Sequence, residues 1–130
     1  MEKVLIDTDV FIDFLRGYNR RIKDIFTQVE EKHIHGYISL ITIIELYAGK
    51  DTKNVRKLRS LNQLLSFFEV VIPNMLMAKL AGKLKRDYAL SLADSIIAST
   101  NILLGTRLLT FNVRHYRLVP DLMLFKLNNE

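Results

Sequence analysis

Lys3-Val4-Leu5-Ile6-Asp7-Thr8-Asp9-Val10-Phe11-Ile12 is the stretch on which the reading of this chain turns. Val4, Leu5 and Ile6 are three consecutive β-favouring apolar residues, which suits a strand covered on both faces. The run stops at a carboxylate. A helical pattern from Val10 to Arg16 follows at once, with Gly17 marking its end and Thr8 or Asp9 able to cap its start. The expectation is a buried strand that delivers Asp7 to the edge of a sheet.

Working outward, Arg20 to Lys32 carries Ile22, Ile25, Phe26 and Val29 at helical spacing. Gly36 to Leu40 reads as a second strand, and Thr42 opens a helix that stops near Gly49. Lys53 to Phe67 is a further amphipathic helix, followed by a strand from Phe68 to Ile72 and a helix from Met75 to Tyr88. Ser91 to Leu104 is apolar around most of its circumference and belongs in the interior. Arg107 to Thr110 makes a fourth strand, Asn112 to Tyr116 a turn or short helix, and Leu122 to Leu127 a last strand. Strands and helices alternating at these lengths imply an α/β fold with a parallel sheet and helices on both faces.

One hundred and thirty residues suit a single domain, 1–130, and 49% hydrophobic content fills a core rather than a disordered chain. No apolar run approaches a membrane span, and Met1-Glu2-Lys3 leaves no room for a leader ahead of the strand. The absence of cysteine excludes disulfides and thiolate metal sites, and fits a cytoplasmic setting. A net charge of +5 suits a polyanionic partner, although it also serves solubility. The basic groups Lys53, Arg56 and Lys57, and Lys79, Lys83 and Arg86, read either as solvated helix faces or as a track for nucleic acid.

The acids fall in a pattern. Asp7 closes the first strand, Glu45 lies in the first turn after the second, and Asp94 in the first turn of the interior helix. Thr110 and Asn112 follow the fourth strand. Ligands of open parallel sheets collect beyond the carboxyl ends of the strands, so three carboxylates and a carboxamide converge there. Singly, Thr42-x-x-Glu45 and Ser91-x-x-Asp94 each match a capping box, and the helix dipole favours such acids. Asp7 caps nothing obvious. Asp9 is either a cap or a partner of the site. Jointly, carboxylates in one pocket repel and lose hydration, a cost that a divalent cation removes. Oxygen ligands without cysteine point to Mg²⁺ or Mn²⁺ rather than Zn²⁺. Such a site suits phosphodiester hydrolysis, with the positive surface attracting the backbone and Arg114 and Arg117 placed for its phosphates. His33 and His35 lie outside the constellation, and His115 sits beside it.

These residues resemble PIN domains, specifically the VapC-type toxin ribonucleases of toxin–antitoxin systems. The resemblance is carried by Leu5 to Asp13, Thr42-Ile43-Ile44-Glu45-Leu46, Ala93 to Ala98, and Leu108-Leu109-Thr110-Phe111-Asn112 with His115-Tyr116. It implies a three-layer α/β/α fold with a central parallel sheet of four to five strands, and an Mg²⁺- or Mn²⁺-dependent endoribonuclease. Asp7 and Asp94 are the implied direct ligands, and Glu45 acts directly or through water, orienting the nucleophile. Thr110 and Asn112 occupy the polar corner, hydrogen-bonded to metal-bound water or phosphate. A homodimer is implied too, with a cognate antitoxin whose C-terminal segment lies across the active groove. Phe14 and Phe26 serve either that partner or the core.

Two departures stand out. Many relatives carry a fourth acid where Asn112 or His115 stands, which leaves one-metal and substrate-assisted two-metal binding both open. Relatives also often turn on glycine within Tyr88-Ala89-Leu90. Two other function classes share parts of the pattern. A non-catalytic RNA-binding or protein-interaction module would keep the fold and lose the cleavage. A phospho-accepting signalling domain would want an acid after a central strand, and Gly36 to Leu40 and Phe68 to Ile72 end without one. Nothing in the sequence reads a 2′-hydroxyl, so DNA stays open as a substrate.

Overall fold

The strand expected at Val4 to Ile6 forms as β1, Glu2–Ile6, in a computed structural model that describes residues 1–127. It pairs in parallel with β2, Ile34–Ser39, on one side and with β4, Arg107–Leu109, on the other. A third strand, β3 (Glu69–Val71), pairs in parallel with β2, so the sheet runs β3-β2-β1-β4. The chain therefore steps outward from β1 to β3 and then returns to the far side of β1. That reversal makes the gap between β1 and β4 the switch point of the sheet, where parallel α/β folds hold ligands.

Alternation along β1 explains its unbroken apolar run. Val4 and Ile6 enter one core with Ile38 and Leu109, and Leu5 enters the other with Tyr37, Val71 and Leu108. The first core is covered by α1 (Thr8–Arg16), α2 (Arg20–Glu30) and α4 (Val55–Leu65), through Phe11, Ile22, Phe26 and Leu61. The second is covered by α5 (Met75–Tyr88) and α6 (Leu92–Leu104), through Met77, Leu84, Ile97 and Ala98. The result is the expected three-layer α/β/α arrangement around a four-stranded parallel sheet.

Phe26 is buried and Phe14 stacks on it with ring centroids 4.2 Å apart, so both serve the core. A Cβ at Gly36 would come within 2.7 Å of the Phe68 ring and 2.8 Å of Val29, which is why β2 carries glycine there.

Three expectations change. The helix expected to open at Thr42 begins two residues earlier as α3, Leu40–Tyr47, with the Ser39 hydroxyl accepting from the Ile41 amide. Thr42 is therefore inside the helix, and Glu45 is past its first turn. The helix expected from Lys53 to Phe67 forms as α4 from Val55, because Asn54 caps it through the Lys57 amide, and Lys50–Lys53 makes a separate 3₁₀ turn ahead of it. Leu122 to Leu127 makes only an isolated bridge, with Leu108 donating to the Met123 carbonyl and Phe125 donating to the Leu108 carbonyl. Among the described residues the sheet has four strands.

The start of α6 matters most for the site. Ala89 ends α5 with φ +54°, a left-handed conformation that favours glycine, and the chain reverses there into Ser91. Ser91 caps α6 by accepting from the Asp94 amide at 3.1 Å. This sets Asp94 in the first turn and leaves its carboxylate free to face the sheet edge. Leu109 and Asp7 continue the β1–β4 ladder by one bond, the Asp7 amide donating to the Leu109 carbonyl at 2.9 Å.

Candidate active site

Asp7 sits where β1 ends and α1 begins. It occupies the cap position of α1, its Oδ1 accepting from the Thr8 amide at 2.8 Å, so the role expected of Thr8 or Asp9 falls to Asp7 itself. It is 4% exposed. Its other oxygen, Oδ2, accepts from the Thr110 hydroxyl at 2.8 Å and from the Tyr116 hydroxyl at 3.2 Å. Every partner is neutral. Burial, and then the charge of Asp94, push the Asp7 carboxyl above its usual range, against the hydrogen bonds from Thr110 and Thr8.

Asp94 reaches the same point from α6. Its Oδ1 accepts from the Tyr116 hydroxyl at 3.0 Å, and its Oδ2 lies 3.6 Å from Nδ1 of His115. The two carboxylates thus meet across one phenol, supplied by α7 (Val113–Tyr116). Tyr116 is fully buried, and burial together with the charges of Asp7 and Asp94 holds its proton firmly.

Asp9 belongs to this region and is not the cap. Its Oδ2 accepts from the Phe111 amide at 3.1 Å, which ties the loop after β4 to the first turn of α1. Its Oδ1 is buried and unpartnered among the described residues. Desolvation, then the neighbouring charge of Asp7, raises the Asp9 carboxyl to about 6.

Glu45 arrives indirectly. Its Oε1 accepts from the Thr8 hydroxyl at 2.7 Å, and Thr8 and Thr42 share a hydrogen bond of 2.9 Å between their hydroxyls. A hydroxyl has a single proton, so Thr8 gives its own to Glu45 and accepts from Thr42. Neither acid–hydroxyl pair closes a capping box: Thr42 turns its hydroxyl to Thr8, and Asp94 turns its carboxylate to Tyr116. The acids expected at helix starts are directed into the sheet edge instead.

The remaining candidates divide. Thr110 donates to Asp7 and accepts from the Asn112 amide at 3.0 Å, so it orders the corner. Asn112 contributes that backbone amide, and its side chain is exposed. Arg114 and Arg117 are exposed on and just after α7, with no ion pair among the described residues. Thr8, expected only as a possible cap, and Tyr116, named only within the family resemblance, turn out to join the acids to one another. Only their adjacency to the acids and to His115 pointed to them.

Among the described residues no three of His, Cys, Asp or Glu close into a metal cage. Asp7 and Asp94 do fit an ion that takes one or two carboxylates and completes its shell with water, as Mg²⁺ does. A buried carboxylate at Asp7 with only neutral partners, meeting the half-buried Asp94 across one phenol, is the chemical condition for such an ion. Beside Glu45 a groove of about 650 Å³ runs between α1, α3 and α4, with Leu15, Tyr18, Arg16, Lys50 and Arg56 along it.

The PIN domain pattern matches residues 4–119 of this chain. The chain belongs to the PIN domain family. Within it, the chain is similar to the protein named ribonuclease VapC19 of Mycobacterium tuberculosis, 33% identical over 129 residues and covering 91% of this chain and 95% of that one. A toxin–antitoxin complex from Klebsiella pneumoniae contains a chain 27% identical, with a TM-score of 0.77 and coverage of 95% of this chain and 99% of that one. The fold also matches a chain of VapBC2 from Rickettsia felis bound to a promoter DNA fragment, at a TM-score of 0.82 and 20% identity, covering 97% and 99% of the two chains. The PIN domain is thus of the VapC type. No helix among the described residues is long and apolar enough to cross a membrane.

Proposed function

We infer that this chain is a Mg²⁺- or Mn²⁺-dependent endoribonuclease and the toxin of a VapBC-type pair, acting in the cytoplasm. The observation that carries the reading is the meeting of Asp7 and Asp94 across Tyr116 at the switch point of the sheet, without a cationic partner on Asp7. The similarity to a ribonuclease along nearly the whole chain agrees with it.

Asp7 and Asp94 would hold the ion, and Glu45, joined to α1 through the Thr8 hydroxyl, would orient a nucleophilic water. A bound divalent ion supplies Lewis acidity and neutralises charge at the phosphate in the transition state. Thr110 and the Thr8 amide keep the Asp7 carboxylate oriented. Asp9 ties the β4–α7 loop to α1 through the Phe111 amide, and Thr110 orders that loop through the Asn112 amide. Arg114 and Arg117, exposed on and just after α7, would meet substrate phosphates. The groove beside Glu45, apolar at Leu15 and Tyr18 and basic at Arg16 and Arg56, suits an amphipathic segment of a cognate antitoxin. Exposed Ile72, Met75, Leu76 and Leu92 on the β3–α5 side suit a second copy of the chain.

The test is cleavage of RNA with Mg²⁺, with Mn²⁺ and with EDTA, run beside Asp94→Asn. Cleavage that needs the ion and is lost in the variant is expected. Cleavage that persists in EDTA, or in Asp94→Asn, would sink the reading. RNA bound but never cut would favour a non-catalytic module on the same fold.

A further inference from the structure

Tyr116 is the one group among the described residues that bonds to both Asp7 and Asp94. Its ring is fully buried in the second core, in one cluster with Leu5, Ile97 and Leu108, and that burial restricts where the hydroxyl falls. That hydroxyl is 3.2 Å from Oδ2 of Asp7 and 3.0 Å from Oδ1 of Asp94. A phenol has one proton, so it cannot donate fully to two carboxylates at once. The nearly equal distances place the hydroxyl as a shared point between them. The other partners of Asp7, the Thr8 amide and Thr110, make no bond to Asp94.

We propose that Tyr116 is a positioning residue for divalent-cation binding, its hydroxyl tying Asp7 and Asp94 to one point and setting their spacing before the ion arrives. The inference rests on the reading of those two acids as the ion's ligands. Phenylalanine would fill the same space in the core and leave the two carboxylates joined by nothing. Groups that hydrogen-bond ligating carboxylates commonly change metal affinity by roughly 10–100-fold when removed.

The experiment is direct Mn²⁺ binding by calorimetry on the full chain without RNA, comparing wild type, Tyr116→Phe and Asp94→Asn. The half-saturating Mn²⁺ concentration of Tyr116→Phe is expected to rise by roughly tenfold or more. Its RNA cleavage should return toward the wild-type rate as Mn²⁺ is raised. A purely structural role would instead lower the unfolding midpoint in EDTA and leave the Mn²⁺ affinity of the folded protein unchanged. Equal half-saturation in wild type and Tyr116→Phe, with binding lost in Asp94→Asn, overturns this inference alone. Absence of Mn²⁺ uptake by the wild type overturns it together with the reading beneath it. Should Tyr116→Phe fail to fold, the wild type labelled at tyrosine ¹³Cζ provides the second measurement. The Tyr116 resonance should shift on Mg²⁺ titration in step with saturation of cleavage, and a resonance that ignores Mg²⁺ refutes the proposal.

Discussion

The two ends of one sheet handle charge in opposite ways. At the amino end, Glu2 and Arg107 approach to 3.5 Å with side chains 44% and 49% exposed, and His35 meets Glu69 at 2.9 Å. These are solvated pairs of acid and base, lost or gained at little cost. At the carboxyl end, Asp7 is 4% exposed, and the charges acting on it come from another acid. Buried carboxylates held by hydroxyls and amides alone weaken the fold relative to neutral isosteres. An arrangement of that kind persists where binding or chemistry uses the charge. The contrast within a single set of strands separates what stabilises this protein from what it does.

The largest effect expected from breaking that contrast is on the acids themselves. Asp7→Asn should abolish ion-dependent RNA cleavage, by about 10³-fold or more, as loss of a group acting in the transition state does. The same variant should unfold at a higher temperature in EDTA than the wild type. Asn can keep the acceptor for the Thr8 amide, and it removes the penalty that raises this carboxyl. A lower midpoint together with retained cleavage would mean that the acid is there for the fold.

Thr8→Val comes next. It leaves Glu45 without its donor and Thr42 without an acceptor for its proton, at about 1–2 kcal/mol of stability. Cleavage should fall while RNA affinity holds, measured as a drop in kcat at constant KM. An unchanged kcat would detach Glu45 from the reaction.

The pH response follows from Asp9 and Asp7. Asp9 is raised from 3.8 to about 6 and Asp7 is raised in the same direction, so between roughly pH 4 and 6 the folded chain binds more protons than the unfolded one. Stability without metal should therefore fall as pH rises through that window, by a few degrees in Tm. Added Mn²⁺ should flatten or reverse the slope. A Tm in EDTA that climbs from pH 4 to 6 would contradict the burial of unpaired charge at this end.

The smallest effect belongs to the other end. Glu2→Gln should change stability by no more than about 0.5 kcal/mol and leave cleavage untouched, since its partner Arg107 is as exposed as it is. A loss of activity there would show that the two ends are coupled.

Much of the architecture was legible along the chain because each element carries its own signal. The run Val4-Leu5-Ile6 is apolar without alternation because it alternates between two cores, and Gly17 and Gly105 end their helices with φ of +75° and +68°. The Leu122–Leu127 segment shows the limit. Its apolar residues look like a strand, yet among the described residues the segment forms an isolated bridge at Leu124 rather than a strand, because strand pairing depends on what lies alongside. Thr42-x-x-Glu45 shows another. The local pattern permits a capping box, and Ser39 takes the cap because the strand ends there.

The sequence alone determined that this chain would be a parallel α/β domain with acids after its first strand and within its interior helix. Periodicity and caps act over a few residues, and they are written locally. Tertiary structure decided which groups those acids meet. That Thr8 would donate to Glu45, that Asp9 would hold the Phe111 amide, and that one tyrosine hydroxyl would touch both Asp7 and Asp94 depends on β1, β4, α6 and α7 meeting at one sheet edge. A hydrogen bond needs its partners within about 3 Å, and only the packed sheet brings residues so far apart in sequence to that distance.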